Sequence, residues 1–342
     1  MNDATLTPVS EIEATLISDL KECINLLPAS WSGQDLARAT SGAAATLLGK
    51  IYLRNHDYAN AKTYIDMVLN SGQYELESDF KYVWSENNKY GKEMIFALLH
   101  ETGNNAAEIA CHFGPSDHPE VPGRWQYYGV SLPFWRSYDK EDPRREFFYY
   151  DYTGDAKRDD QSDYGFHYMV PEEGVTVVPN DTTKYMQNVA TMKYTYDMIS
   201  DAYYDGRTIC IFRLSDVILC KAEIENNLNG PAAALPYLNQ IRARAGAPEY
   251  GKHNRFPAPS TKEAMNDAIL KERGYELVFE FQRRADLIRF GKYEEVVNAH
   301  LKKLGIAQPT NVTSSLRYFP YPLNDAQLNP NLAAENPSRL PK

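Results

Sequence analysis

The chain has 342 residues, long enough for one large domain or two, and its 43% hydrophobic and 24% charged residues are ordinary for a soluble globular protein. Its 36 basic and 46 acidic residues give a net charge of −10, which disfavours a general nucleic-acid role, because phosphate groups are bound by basic surfaces. No run of about 18 apolar residues occurs, so no segment is predicted to span a membrane.

Metal and catalytic motifs are missing from the sequence. Cys23, Cys111, Cys210 and Cys220 show neither a C-x-x-C pair nor Cys/His ligand spacing, so no zinc site and no cofactor are predicted. Cys220 lies in an apolar helical pattern and is predicted to be a small core residue, while the disulfide state of the four cysteines stays open. There is no nucleophile elbow, P-loop or H-E-x-x-H motif.

Residues 8–27 are predicted to form an amphipathic helix. Four apolar side chains recur at intervals that place them on one helical face: Ile12, Leu16, Leu20 and Ile24. Ser10 is predicted to cap the N-terminus of this helix, and Pro28 to end it.

Residues 40–72 are predicted to form a helical hairpin. Gly49, Tyr52 and Ala61 stand where a tetratricopeptide repeat (TPR) places a small, an aromatic and a small residue, which allow two helices to approach closely. A second hairpin is predicted over residues 211–248, because Asn229-Gly230-Pro231 stops one helix and starts the next.

Between the hairpins, from about residue 73 to 207, the helical period fades. Alternating apolar residues predict a short extended segment after Trp84. The next stretch is rich in Pro, Gly and aromatic residues, which is typical of loops that bind ligands. Aromatic rings beside planar polar groups suit the apolar face and the hydroxyl edge of a sugar. The candidate ligand-binding residues are Trp125, Tyr127, Tyr128, Arg124, Gln126 and Asp139.

Other aromatic residues in this stretch have a structural interpretation. Trp135 is predicted to anchor the loop to the scaffold, and most of the 25 tyrosines are expected to pack between helices.

Residues 269–297 are predicted to be helical, with Leu270, Leu277, Val278 and Phe281 on one face. Charged residues crowd the rest of this segment: Glu272, Arg273, Glu276, Glu280 and Arg283. Buried charges need partners, so we expect a network of ion pairs that clamps this segment to the second hairpin. The partners expected in that hairpin are Arg213, Asp216, Arg242 and Arg244.

Four segments carry a resemblance to a known family. In chain order they are ATSGAAATLLGKIYL, RLSDVILCKAE, YLNQIRARAG and ERGYELVFEFQRRADLIRFGK, and a closing FPYP followed by NPNLAAENP completes them. They closely resemble the SusD/RagB family of outer-membrane glycan-binding lipoproteins of Bacteroidetes. The closing segment departs from the family pattern at Glu335 and Ser338, where Gln and Gly are usual.

The resemblance implies a mainly α fold, a TPR-like scaffold of helical hairpins that carries a large irregular insertion. Four parts are expected: 8–72, a helix and hairpin; 73–207, the variable ligand-binding region; 208–297, the C-terminal helical scaffold; and 298–342, a loop-rich tail. Because the family normally has a lipidated N-terminal cysteine and further N-terminal helices, the chain is expected to be an N-terminally truncated member.

The resemblance also implies a function. An oligosaccharide would be bound without cleavage at the cell surface and passed to a TonB-dependent, SusC-like transporter in the outer membrane. Two alternatives stay open: a TPR-type scaffold for protein docking, and a glycoside hydrolase that uses Glu276 and Glu280. The abundance of neighbouring arginines argues against the hydrolase, because cations lower carboxyl pKa values, whereas a general acid needs a raised one.

Overall fold

The computed structural model describes residues 5–102, 109–115, 118–121, 125–154, 165–174, 183–197, 205–303, 312–313 and 319–335. Its fold is mainly α, as predicted, with helical hairpins on either side of an irregular region that contains short strands. The division of the chain into four parts stays a prediction.

The helices come in this order: α1 Val9–Leu26, α2 Ser41–Arg54, α3 Tyr58–Leu69, α4 Ile109–Phe113, α5 Leu132–Arg136, α6 Leu214–Asn229, α7 Pro231–Ala245, α8 Lys262–Glu276, α9 Arg283–Arg289, α10 Tyr293–Lys303, α11 Leu323–Leu328 and α12 Pro330–Glu335. The strands are β1 Met94–Leu98, β2 Val130–Ser131, β3 Phe148–Tyr149, β4 Asp151–Thr153, β5 His167–Met169, β6 Thr183–Tyr185, β7 Asn188–Thr191 and β8 Ile209–Arg213.

Both predicted hairpins are present, as α2 with α3 and as α6 with α7, and α3 packs against α6. Ala61, Ala222 and Ala234 are fully buried. A Cβ built on Gly49 would come within 2.9 Å of the Ile65 side chain, so only glycine allows α2 and α3 to approach this closely.

The predicted N-terminal helix exists, but its predicted cap is wrong. The helix begins at Val9 with Pro8 at the cap position, and Ser10 lies inside the first turn. Pro8 makes no side-chain cap, and its backbone φ of −54° leads directly into the helix. Ile12 and Leu16 stay 46% and 43% exposed, so the apolar stripe is only partly covered by α2.

The extended segment predicted after Trp84 is β1, which pairs antiparallel with β8. Strand β8 corrects the prediction that a helix begins at residue 211, since α6 begins only at Leu214. Arg213 ends the strand opposite Met94, and this extended conformation directs its side chain into the protein interior, where it is 1% exposed.

Two further three-stranded sheets organise the irregular region, β2-β7-β3 and β4-β5-β6. In the first sheet, β7 lies between β2 and β3 and pairs antiparallel with both. Val189 and Ala190 of β7 are buried, so this sheet forms part of the core beneath the loops.

The predicted ion-pair network is present and larger than expected. In the described residues it joins five cations, Arg144, Lys193, Arg213, Arg242 and Arg244, with five carboxylates, Glu93, Asp142, Glu272, Glu276 and Glu280. We call it the central network. Arg213 contacts Glu93, Glu276 and Glu280 at 2.6, 2.8 and 2.7 Å. The charges balance, which a buried network requires.

A second network lies beside it and joins α2, α6, α8 and α9. Arg273 contacts Asp216 at 2.7 Å and Asp286 at 2.8 Å, and Lys50 of α2 also pairs with Asp216. Burial works to raise the pKa of Asp216, but Lys50 and Arg273 together hold that pKa well below its usual range.

The prediction of continuous helix over residues 269–297 is wrong at its centre. Helix α8 ends at Glu276, and α9 begins at Arg283. Between them Phe279 and Phe281 have φ angles of 60° and 61°, a left-handed conformation that is uncommon for non-glycine residues. Phe281 is 73% exposed, so it does not share a buried face with the preceding turns.

The central network explains this break. The carbonyl oxygen of Glu276 accepts hydrogen bonds from Arg213 Nη2 and Lys193 Nζ, each at 2.9 Å, and these replace the helical bond. The carboxylate of Glu280 then reaches the same two cations, at 2.6 Å from Lys193 and 2.7 Å from Arg213. An unbroken helix would leave these cations without these partners.

All four cysteines lie in the described residues, and none of them is disulfide-bonded. Cys220 is 1% exposed, as predicted for a core residue, and burial raises the pKa of its thiol to about 11. In the described part of the chain, every helix is too short or too polar to cross a lipid bilayer.

Replacement of Arg213 by Met is expected to lower the free energy of unfolding by about 3–5 kcal/mol, because three buried carboxylates lose their common partner. The matched control is Arg38→Met, which removes an ion pair to Asp35 in which the side chains are 67% and 46% exposed. The control should cost less than about 1 kcal/mol in urea unfolding. Equal, small losses for both variants would contradict the account of the central network.

Candidate functional site

Three of the predicted ligand-binding residues come together on the surface. The rings of Trp125 and Tyr127 lie 5.4 Å apart, and both contact the ring of His112 on α4, at 5.1 and 5.5 Å. Tyr128 lies 6.1 Å from the same histidine ring. We call these four residues the aromatic surface. Their rings form one continuous patch rather than separate contacts.

Backbone hydrogen bonds fix this segment across α4. The N–H of Trp125 donates to the carbonyl of Cys111 at 2.6 Å, and the N–H of Tyr128 donates to the carbonyl of His112 at 3.1 Å. Between them Gln126 has a φ of 51°, in the left-handed region. The surface is therefore built on fixed backbone, even though it lies outside regular structure.

Buried rings connect the aromatic surface to the interior. Tyr128 packs on Phe113 at 5.4 Å, Phe113 packs on Tyr194 at 4.6 Å, and Tyr194 packs on Trp84 at 5.7 Å. The Trp84 ring in turn lies 4.6 Å from the ammonium of Lys193, a member of the central network. An unbroken series of contacts thus runs from the buried charges to the exposed rings.

The start of α4 has its own anchor. Asp205 is fully buried, and its carboxylate accepts the backbone N–H of Ala110 at 2.9 Å and that of Arg207 at 3.0 Å. Arg207 donates to the carbonyl of Trp84 at 2.6 Å. These bonds tie the helix that carries His112 to the strand region below.

The exposed fractions indicate which rings a ligand can reach. Trp125, Tyr127 and Tyr128 are 39%, 66% and 54% exposed. The amide of Gln126 is exposed beside them and contacts Asn188 of β7 at 3.4 Å, so two planar amide groups border the rings. Ring faces with neighbouring amides offer stacking and hydrogen bonds together.

Gly129 allows this segment to pass close to β7. A Cβ at that position would lie 2.7 Å from Asn188 Oδ1 and 3.1 Å from the carbonyl oxygen of Val189. A larger residue would therefore push the aromatic segment away from the sheet that supports it.

Asp139, another predicted site residue, does not share the aromatic surface. Asp139 pairs with Arg255, whose guanidinium nitrogens lie 2.8 and 3.1 Å from its carboxylate, and it also accepts the N–H of Glu141. These contacts do not bring Asp139 to the aromatic surface. Arg124 lies outside the described residues.

Trp135 has the structural role predicted for it. It is 4% exposed, its indole N–H donates to the carbonyl of Arg145 at 3.2 Å, and the Arg145 guanidinium covers its ring at 4.0 Å. His112 is the residue that sequence reasoning missed, since no spacing in the sequence links it to residues 125–128. The density of aromatics after Cys111 was the only available signal.

Glu276 and Glu280 do not have the environment of a glycosidase pair. Each is 4% exposed, and each is held by cations of the central network. Burial works to raise the pKa of Glu276, but Arg244, Arg213 and Arg144 hold it well below its usual range. A carboxyl with a lowered pKa cannot act as the general acid at neutral pH. Within the described residues, no group of His, Cys, Asp or Glu could hold a metal ion.

Comparison with known proteins gives the family. A model of the SusD family matches residues 92–338, well over half of the chain. The chain belongs to the SusD family. The match includes the aromatic surface and every residue of the central network.

Curated relatives and solved structures agree with this membership. SusD-like protein P25 of Formosa agariphila is 26% identical over 95% of this chain, and the chain spans 63% of that protein. The starch-binding protein SusD of Bacteroides thetaiotaomicron is 28% identical over 40% of this chain and 22% of its own length.

The solved structures share the fold. A SusD superfamily protein of Bacteroides vulgatus has a TM-score of 0.70 at 24% identity, covering 97% of this chain and 72% of that one. Surface glycan-binding protein A of B. thetaiotaomicron in complex with laminarihexaose has a TM-score of 0.70 at 21% identity, covering 94% and 70%.

The lowered pKa of Glu276 predicts a pH dependence of stability. Because the folded-state pKa lies below that of the unfolded chain, the carboxylate stabilises the fold at neutral pH, and this contribution is lost as the pH falls below about 4.3. Glu276→Gln should reduce the slope of unfolding free energy against pH in acid by up to about 1.4 kcal/mol per unit. Urea titrations from about pH 5 to 3 measure this slope.

The control is Glu75→Gln, whose carboxylate is 69% exposed beside Lys92. This variant should keep the slope of the unchanged protein. An unchanged slope in Glu276→Gln would show that the Glu276 carboxyl is not held ionised by its arginines.

Proposed function

We propose that this SusD family member binds an oligosaccharide without cleaving it, and that the aromatic surface contacts the sugar rings. The observation that carries the proposal is the patch formed by His112, Trp125, Tyr127 and Tyr128, exposed on one side and fixed to α4 on the other. The apolar face of a pyranose stacks on such rings, while its hydroxyl edge takes hydrogen bonds.

The relatives support a carbohydrate as the ligand. One curated relative is a starch-binding protein, one solved structure is a laminarin-binding SusD-like protein, and another contains laminarihexaose. The polar groups that would bind hydroxyls in this chain are the amides of Gln126 and Asn188. Asp139 would contribute only if it released Arg255.

The geometry also favours binding over catalysis. The rings are preorganised by backbone bonds at 2.6 and 3.1 Å, so little conformational freedom is lost when a ligand settles on them. Glu276 and Glu280, the carboxylate pair that a hydrolase would need, form buried ion pairs with Arg213.

Membership of the SusD family also suggests a cellular role, which we include in the proposal. The whole protein would be a lipid-anchored component of the outer membrane of a Bacteroidetes species and would deliver its glycan to a SusC-like, TonB-dependent transporter. The two hairpins α2–α3 and α6–α7 would be its TPR-type scaffold. Because the chain spans 63% of P25, these statements concern a longer protein than the one described.

The test is isothermal titration with laminarihexaose, maltohexaose and a panel of plant, host and microbial glycans. The double variant Trp125→Ala, Tyr127→Ala should weaken the binding of any positive ligand at least about tenfold, because two stacking rings are lost. The control is Tyr82→Ala, which removes a ring 42% exposed outside the aromatic surface and should leave affinity unchanged.

Release of reducing ends is monitored in the same samples and should stay at the buffer rate. Release above that rate, or unchanged affinity in the double variant, would contradict the proposal. Absence of binding by the folded chain to every glycan would show that the aromatic surface alone is not a glycan site.

A further inference from the structure

A concave site lies between α5, α8, α9 and α10, with a volume of about 280 Å³. It shares no residue with the aromatic surface. Its walls are Phe134, Ser137, Asp267, Leu270, Lys271, Tyr275, Arg283, Lys292, Glu295 and Val296. We call it the α8–α10 cleft. Its size suits a single ring better than an extended chain.

The walls of this cleft carry more cations than carboxylates, unlike the central network, in which the two are equal in number. Its two carboxylates, Asp267 and Glu295, both lie near the ammonium of Lys292, at 3.5 and 3.4 Å. Both are 61% exposed or more, at the rim. Arg283 and Lys271 form no ion pair with the described residues. Among the described residues, these two cations of the cleft therefore have no carboxylate within ion-pair distance.

Arg283 has fewer partners than the buried arginines Arg213 and Arg273. Its only hydrogen bond is from Nη1 to the carbonyl of Leu270, at 2.7 Å, so four of its N–H groups are not used by the described residues. Burial lowers the pKa of Arg283, whereas the carboxylates around Arg213 and Arg273 raise theirs. The carboxylate of Asp286 acts on Arg283 only at a distance, because Asp286 is already paired with Arg273 and Arg289.

Gly274 makes room for this side chain. A Cβ on Gly274 would lie 3.0 Å from Nη1 of Arg283 and 3.1 Å from its central carbon. Glycine inside a helix costs about 1 kcal/mol relative to alanine. The guanidinium therefore lies close against α8 at Gly274. This close approach explains a glycine that helix stability alone would disfavour.

The remaining walls are flat and apolar. Tyr275 is 4% exposed and stacks among buried rings, and Phe134 lies 6.1 Å from it. The ammonium of Lys271 lies 5.7 Å from the Tyr275 ring. A ligand in the cleft would meet the partly exposed ring of Phe134 on one side and cations on the other.

We propose that the α8–α10 cleft binds the carboxylate of a single acidic sugar ring, a hexuronate. The carboxylate would take the free fork of Arg283 and the ammonium of Lys271, since guanidinium groups bind carboxylates in a bidentate manner. The ring would lie against Phe134, which is backed by the buried ring of Tyr275. This site is independent of the aromatic surface and does not rest on the proposal made for it.

The competing explanation is structural, in which Arg283 only fastens α9 to α8 through the Leu270 carbonyl. That role uses one N–H group of Arg283 and leaves Lys271, which is exposed, with only its contact to the Tyr275 ring. The two explanations differ in what they predict for binding.

The experiment titrates the full chain with sodium D-glucuronate, with D-glucose as the neutral ring and with acetate as the ringless carboxylate. Glucuronate should bind at least about tenfold more tightly than either, because only it provides both contacts. Arg283→Met should weaken glucuronate binding at least about tenfold, and Arg283→Lys should restore it only partly, because lysine lacks the planar fork. Circular dichroism checks that each variant is folded.

If Arg283→Met does not fold, Lys271→Met tests the cleft instead. Lys271 is exposed, so its replacement should not disturb folding. It should weaken glucuronate binding several-fold without changing the melting temperature. The Trp125→Ala, Tyr127→Ala variant should bind glucuronate as the unchanged chain does. The inference is overturned if glucuronate binds no better than glucose, if Lys271→Met keeps full affinity, or if the aromatic variant loses glucuronate binding.

Discussion

The guanidinium of Arg213 lies in the interior, 1% exposed, and contacts three carboxylates from two different parts of the chain. Such an arrangement is costly unless every partner is in place, so it specifies one packing of α8 against β1 and β8. It also explains why α8 ends at Glu276 and why Phe279 and Phe281 in the following turn adopt left-handed conformations. Through Lys193, Trp84 and the buried rings above, the same network supports α4 and the aromatic surface.

The helical scaffold could be predicted from the sequence because its signals are local or strongly patterned. Gly230 and Pro231 mark the turn of the second hairpin, and the charges of residues 269–297 cannot be buried without the predicted arginines. The helix break after Glu276 could not be predicted, because its cause is a set of hydrogen bonds from Lys193 and Arg213, distant in sequence. Helical periodicity there resembles that of a continuous helix.

The candidate site could be predicted only in part. The concentration of aromatic and polar residues in one loop predicts Trp125, Tyr127 and Tyr128, and the structure brings their rings together around His112. Composition cannot tell which polar residue shares the surface. Asp139 pairs with Arg255 instead, whereas backbone bonds from Trp125 and Tyr128 to α4 bring their rings to His112. Tertiary contacts of this kind leave no local pattern.

The most direct test of the central claim uses the indole N–H signals of the four tryptophans in a nitrogen-15 NMR spectrum. Trp84 and Trp135 are 6% and 4% exposed within the scaffold, whereas Trp125 is 39% exposed on the aromatic surface. Titration with a glycan that binds should shift the Trp125 signal, assigned from Trp125→Phe, and leave those of Trp84 and Trp135 in place. Binding that leaves the Trp125 signal unchanged, or that shifts the two buried signals instead, would contradict the account.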